Sequence, residues 1–251
     1  MVSPFALFRL LMIALCAAVV ALAPARAQQA VTVTTTTVWI DHDDGDADFM
    51  LLDDEALAQD GPAALRRYAP SPALAPSAGP ALARFGPFFV IDAATVRMAG
   101  DVTSATPRQF AAMMAAFPAL KRIEMVDCPG SLDEDANLSL AHAIRRAGME
   151  TIVPSGGSVR SGAVELWLAG ATRRAAPDAE FGVHSWADEY GREAKDYPEG
   201  DPVHAEYLGL YREMGMDDAK ARAFYALTNA TPFDDVRYLT RDDMARFVTL
   251  N

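Results

Sequence analysis

The sequence predicts an α/β fold, and three observations predict it. From residue 87 onward, short β-branched or aromatic runs alternate with longer segments of helical period. Strand–helix–strand units of this length impose parallel pairing through crossover helices. The chain has 251 residues and is 51% hydrophobic, enough to build a sizeable core and to exclude wholesale disorder.

The amino-terminal third reads differently. Residues 1–27 contain Arg9 and Arg26 and no acid, residues 10–23 are unbroken apolar sequence, and Ala25-Arg26-Ala27 has the small–x–small form of a cleavage site. This is the pattern of a secretory signal peptide cut after Ala27, which places the mature chain in the periplasm or outside the cell. A spanning helix needs about 20 apolar residues, and this run is shorter, so no stable membrane span is expected after cleavage. Cys16 leaves with the leader, so Cys128 is the one mature cysteine and no intramolecular disulfide is expected. Residues 28–86 form an acidic, Ala/Pro-rich arm, expected to be loosely ordered apart from one β-branched stretch at 31–40. Within it, residues 41–60 carry nine acids and no Lys or Arg. Asp44, Asp46, Asp48 and Glu55 have the outline of a calcium loop. Phe49 stands where the sharp turn of such a loop requires Gly, so the stretch reads as a solvated acidic linker and no metal is expected.

Residues 87–251 supply the alternating elements. Strands are expected at 88–92 and 95–98. A helix follows at 107–117, with Thr106 as its cap and Pro107 in its first turn. A strand at 122–126 leads into Asp127-Cys128-Pro129-Gly130-Ser131. The helix at 133–147 has acids in its first turn, Arg145 and Arg146 in its last, and Gly148 beyond its end. A strand at 150–153, a short helix at 161–169 and a strand at 180–186 come next. The last third is helical at 202–214, 217–228 and 241–248, the last opened by Thr240 and Asp243 as a capping box. Tyr207, Leu210, Tyr211 and Met214 form one apolar stripe, and Ala221, Phe224, Tyr225 and Thr228 another, for core or subunit packing.

Ligands in open α/β folds sit at the carboxyl ends of the strands. Two Gly/Ser-rich loops qualify, at 127–131 and 154–161. Ser161 opens an apolar helix, where unpaired amides can stabilise an oxyanion, and Gly162 leaves its own N–H unobstructed. The competing reading makes Ser161 a plain helix cap. His184 lies on a buried-looking strand and is the natural partner for a nucleophilic serine, against the reading of a hydrogen-bonded core histidine. His142 and His204 look like surface positions. Cys128 reads as a small buried hydrophobe rather than a nucleophile. Arg160 reads as a surface arginine, or as a dock for an acidic group.

The order of these motifs resembles the Clp protease/crotonase superfamily, and within it a group of secreted bacterial Clp-protease-like proteins. A strand ends in Pro129-Gly130, where the family often has a Pro-Gly-Gly turn. A helix and a strand follow. Ser161-Gly162-Ala163 then opens a helix ending Leu168-Ala169-Gly170, with Arg173 after it, and Gly182-Val183-His184 closes the series. The resemblance implies a superhelix of repeated strand–strand–helix units with C-terminal helices that often build a homo-oligomer. It implies a serine nucleophile at Ser161, a base at His184, and an oxyanion hole from the amides of Gly130 or Ser131 and of Gly162. The orienting acid is expected just before the last helix, where Val236 falls on the family's position and Asp235 and Asp234 lie beside it; Asp188 is a local alternative.

On this reading the chain is an exported serine hydrolase, a peptidase, needing no cofactor and acting on a peptide or acyl substrate. The rival is a catalytically inactive binding protein on the same fold that recognises peptides or envelope partners. A serine–lysine site would need a buried lysine, and Lys121, Lys195 and Lys220 all lie among polar neighbours. The formal charge of −12 argues against nucleic-acid phosphates and suits the phosphates of coenzyme A poorly.

Overall fold

A computed structural model describes residues 66–67 and 81–251. The expected leader, the strand at 31–40 and the calcium-loop outline at 44–55 lie outside the described residues. The described chain is mixed α/β. Its strands are β1 (Arg66–Arg67), β2 (Ala83–Phe85), β3 (Phe88–Val90), β4 (Thr95–Ala99), β5 (Arg122–Cys128), β6 (Glu150–Val153), β7 (Ser158–Arg160), β8 (Thr172–Ala175), β9 (Glu180–Val183) and β10 (Asp235–Leu239). Its helices are α1 (Thr106–Ala116), α2 (Glu134–Arg146), α3 (Gly162–Leu168), α4 (Pro202–Glu213), α5 (Asp218–Asn229) and α6 (Arg241–Ala245).

The expected parallel pairing is present. β4 pairs β5, and β5 then serves two neighbours. Its first half, Arg122 to Glu124, pairs β6; its end, Asp127 and Cys128, pairs β7. Both branches continue in parallel, β6 to β8 and β7 to β9. Each turn of chain thus contributes one strand to each branch before the next helix, which is the repeated strand–strand–helix unit the sequence implied. β2, β3 and β4 extend one edge as antiparallel hairpins, and β10 closes antiparallel onto β9 and accepts β1 on its far side.

The sheet begins ahead of Pro87, inside the stretch read as the arm. Gly86 adopts φ 57, a conformation natural to glycine, and turns β2 back onto β3. The short strands β7, β8 and β10 were not expected as strands. They hold three to five residues each, with Arg, Asp or Ser among them, and only their pairing distinguishes them from loop. Thr106 lies within α1 rather than capping it, its Oγ1 accepting from the Thr103 amide at 2.9 Å. Asp133 caps α2 through the Ala136 amide, and Thr240 with Asp243 forms the expected capping box.

Helix α3 sits at the centre, and every one of its residues is buried. That explains its sequence: a helix enclosed on all sides carries apolar residues all round. Trp167 packs on Phe181 with ring centroids 4.5 Å apart and donates its indole N–H to the Arg174 carbonyl. Arg173 is buried below it and donates to the carbonyls of Leu168 and Met214, the ends of α3 and α4. Both apolar stripes of the C-terminal helices face inward, with Tyr211, Met214, Ala221 and Phe224 almost fully enclosed. No described helix is long and apolar enough to cross a membrane.

Arg160 is a correction. It is 3% exposed, donates to Asp127 at 2.7 Å across β7 and β5, and donates to Ser158 at 2.7 Å. It is neither a surface arginine nor free to dock an acidic group; it ties together the two strands that lead into Gly130 and Ser161. Removing one partner of such a pair leaves a buried charge unmatched. Asp127→Ala is expected to destabilise the fold by about 3 kcal/mol, measured by urea unfolding with an unchanged slope.

Candidate active site

Ser161 forms the turn from β7 into α3 by itself. Its amide donates to the Gly182 carbonyl at 2.8 Å, continuing the ladder with β9, and its own carbonyl accepts the first helical bond from Val164 at 2.9 Å. A single residue that belongs to both elements must reverse the chain, and Ser161 does so at φ 50, ψ −136. Among the described residues it is the one non-glycine with positive φ. Holding a side chain there costs about 1–3 kcal/mol, and such strain persists where surrounding structure enforces it. The side chain makes no capping hydrogen bond to α3. Ser161 therefore occupies the cap position without acting as a cap, and the plain capping reading loses its physical basis.

Two glycines make room for it. Gly130 adopts φ 141, and a Cβ there would lie 2.8 Å from the Ser161 Cβ and 3.3 Å from its Oγ. A Cβ on Gly162 would lie 2.6 Å from Asn137 Nδ2 and 2.9 Å from the Ser131 Cβ. Asn137 is buried and donates to the Gly162 carbonyl at 2.9 Å, locking the start of α3 onto α2. Ser131 turns its hydroxyl to the start of α2, donating to the Asp133 carbonyl at 2.6 Å and accepting from the Asp133 amide at 3.0 Å. The amides of Gly130, Ser131 and Gly162 donate to no acceptor among the described residues. The structure thus gathers the three expected oxyanion residues around Ser161.

His184 follows β9 directly, and β9 lies beside β7. Their register pairs Arg160 with Gly182, so Ser161 and His184 leave the carboxyl ends of adjacent parallel strands. Both line one cleft of about 390 Å³. The His184 Nδ1 lies 2.8 Å from the Ser185 carbonyl oxygen. A carbonyl can only accept, so Nδ1 carries the proton and Nε2 carries the lone pair of the neutral ring. Phe233 packs edge-on against the imidazole at 5.3 Å. Burial pushes His184 below its ordinary 6.5, against smaller opposing effects of the Ser185 carbonyl and the Glu193 carboxylate.

The strand register decides which residue of the 234–236 segment adjoins His184. The β10–β9 register pairs Arg237 with Val183, so the next step brings Val236 alongside His184, and Val236 is fully buried. Asp234 is exposed and Asp235 half-buried, and the His184 Nδ1 meets the Ser185 carbonyl. Asp188 is engaged by Arg192 at 2.8 Å and by the Tyr197 hydroxyl at 2.6 Å, which hold its carboxyl well below the usual range. Sequence reasoning missed two groups near His184: the Ser185 carbonyl, which any residue would supply, and Glu193, whose place depends on the fold of the 185–197 segment.

The remaining candidates separate cleanly. Cys128 is fully buried with its thiol toward the Met98 carbonyl, and burial pushes it far up, so it is a core residue as expected. His142 pairs with Glu213 at 2.9 Å on the surface. His204 differs from expectation: it is half-buried in an aromatic cluster, accepts from Tyr225 at Nδ1 and donates from Nε2 to the Pro198 carbonyl. Trp186 also donates to the Tyr225 hydroxyl at 3.0 Å. Two carboxyls line the cleft below Ser161 and were not foreseen. Glu165, 6% exposed, accepts from the Tyr211 hydroxyl at 2.9 Å, and Glu134 accepts from Tyr207 at 3.1 Å. Burial, with the Glu134 charge behind it, pushes Glu165 up to about 7.

No protein-family model matches the chain, and no curated protein does. Among solved structures it is similar to the 1510-N membrane protease specific for a stomatin homolog from Pyrococcus horikoshii, at 18% identity and TM-score 0.42, over 63% of this chain and 70% of that one. It is similar to a variant of the 1510-N membrane-bound stomatin-specific protease in complex with a substrate peptide, at 20% identity and TM-score 0.44, over 61% and 70%. It is also similar to ClpP1 from Listeria monocytogenes, at 14% identity and TM-score 0.45, over 62% and 88%. At these identities the chemistry of the site is read from this chain's own residues.

The raised Glu165 makes stability depend on pH. The folded state keeps a proton that the unfolded chain releases near 4.5, so stability is greatest below 4.5 and falls as pH rises to about 7. The contribution lost is about 3 kcal/mol. Glu165→Gln is expected to flatten that fall and to raise stability at pH 8, measured by urea unfolding across pH 4.5–8.

Proposed function

We propose that the protein is an exported serine hydrolase that acts as a peptidase. The observation that carries this reading is Ser161, held at positive φ without a capping role, beside His184 at the end of the adjacent parallel strand. Strain of this kind aims a hydroxyl out of the turn, and the neutral tautomer of His184 supplies a base at Nε2. Export rests on the leader pattern at 1–27 and its Ala25-Arg26-Ala27 site.

The chemistry follows from these groups. Ser161 Oγ attacks the substrate carbonyl carbon as His184 Nε2 takes its proton. The carbonyl electrons move to oxygen, and the amides of Gly162 and of Gly130 or Ser131 stabilise that oxyanion. Collapse of the tetrahedral intermediate expels the amine, which receives the proton from His184. Water then attacks the acyl-enzyme with His184 again as base, releasing the acid and restoring Ser161. The Ser185 carbonyl fixes the tautomer that a carboxylate fixes in a complete triad. It sets only a partial negative charge against the imidazolium, and the Glu193 carboxylate adds to it.

The Ser185 carbonyl at Nδ1, where a triad has its acid, is the observation favouring the rival, a catalytically inactive peptide-binding protein. Hydrolysis of a fluorogenic peptide library separates the two. Wild type should cleave, and Ser161→Ala or His184→Ala should each lower kcat by about 10³-fold or more without loss of fold. The acid limb of kcat/KM should have its midpoint below 6.5, because burial keeps His184 neutral to lower pH. Gly130→Ala should abolish turnover while Ser161 remains, since its Cβ would displace the serine. Peptide binding with no Ser161-dependent cleavage would favour the rival.

A further inference from the structure

The cleft beside Ser161 has a charge pattern that the hydrolase reading does not use. Among the described residues six carboxyl side chains line it (Asp133, Glu134, Asp135, Glu165, Asp188 and Glu206), and no lysine or arginine does. Two have evident local work: Asp133 caps α2, and Asp188 is paired with Arg192. Glu134 and Asp135 sit in the first turn of α2, where acids complement the helix dipole. Glu165 has no such excuse for its depth. It lies inside the central helix, 94% enclosed by its 6% exposure, in a position where a neutral or apolar residue would cost far less. Among the described residues no Lys or Arg pairs with Glu165 or Glu134; each meets only a tyrosine hydroxyl.

Position gives these carboxyls a use. Glu165 is four residues after Ser161, one helical turn of about 5.4 Å along the same face. Helical side chains lean toward the amino-terminal end, and Glu165 and Ser161 line the same cleft. Trp186 and Tyr207 line the same cleft and stack with ring planes 5° apart at 6.1 Å. An aromatic wall beside buried carboxyls suits a long alkyl stem ending in a cation. A metal ion fits less well: among the described residues no group of three or more His, Cys, Asp or Glu could hold one.

We propose that the deep end of the cleft is a specificity pocket for a basic side chain, lysine or arginine, on the residue whose carbonyl Ser161 attacks. Glu165 is the counter-charge, Glu134 stands beside it, and Trp186 with Tyr207 covers the alkyl stem. The proposal rests on the hydrolase reading for the position of the scissile bond. A cation in the pocket also supplies what Glu165 lacks in the empty cleft, an opposite charge against the burial that raises it.

Three inhibitors test it on the wild-type protein: a small alkyl fluorophosphonate without a recognition side chain, and diphenyl phosphonates carrying a lysine or a leucine side chain. The lysine phosphonate should inactivate about tenfold or more faster than the leucine one. Glu165→Gln should remove that preference, its lysine and leucine phosphonate rates converging to within about twofold of each other. Equal or faster inactivation by the leucine phosphonate, with the small probe still reacting, overturns the pocket and leaves the hydrolase standing. Failure of the small probe to react overturns the hydrolase instead. The pocket is then read by calorimetry of two acetylated tetrapeptide amides differing only in lysine or leucine. Lysine tighter by about tenfold supports the basic pocket, and equal affinities overturn it.

Discussion

The site depends on one constraint, the reversal of chain direction at a single residue. Ser161 donates into the β7–β9 ladder and accepts the first bond of α3. Both elements are fixed elsewhere, β7 between β5 and β9 and α3 by burial on every side. Their positions impose φ 50 on the residue between them. Every nearby small residue serves that geometry: Gly130 clears space for the serine, and Gly162 lets α3 approach Asn137 and Ser131. The Arg160–Asp127 pair ties the two strands from which the loops depart. The strain is affordable because it is distributed over a packed core rather than carried by the turn alone.

The same arrangement sets the histidine. Parallel pairing of β7 and β9 delivers Ser161 and His184 to one end of the sheet, and antiparallel β10 brings Val236 next to His184. A valine there keeps the imidazole in an apolar setting, which lowers its proton affinity and leaves a backbone carbonyl to fix the tautomer. Four acids of the cleft, Glu134, Asp135, Glu165 and Glu206, lie on α2, α3 and α4, with Asp133 capping α2 and Asp188 on the segment after β9.

Much of this was legible in the sequence. The helical period of 133–147 and its terminal charges located α2, and the Gly/Ser loops marked the two segments, around Gly130 and around Ser161, that the structure brings together. Ser161 and His184 stood out because their types and surroundings suit a nucleophile and a base. What escaped was what depends on pairing. Strands of three to five residues such as β7 and β10 have too little period to read, and β10 decides that Val236, not Asp234 or Asp235, adjoins His184. Arg160 looked like a surface residue because its partner Asp127 lies on a strand that only the fold brings alongside. Glu165 was hidden in an apolar run, where a single carboxyl carries no sign of the cavity it faces.

The most direct measurement is the site of covalent modification in folded wild-type protein. After reaction with a small fluorophosphonate, intact mass and peptide mapping should show one adduct, on the peptide containing Ser161. The rate should fall as pH drops below 6.5 and His184 takes up a proton. No adduct on the folded chain, or an adduct placed on another serine, would contradict the claim that the strained turn at Ser161 is a nucleophile.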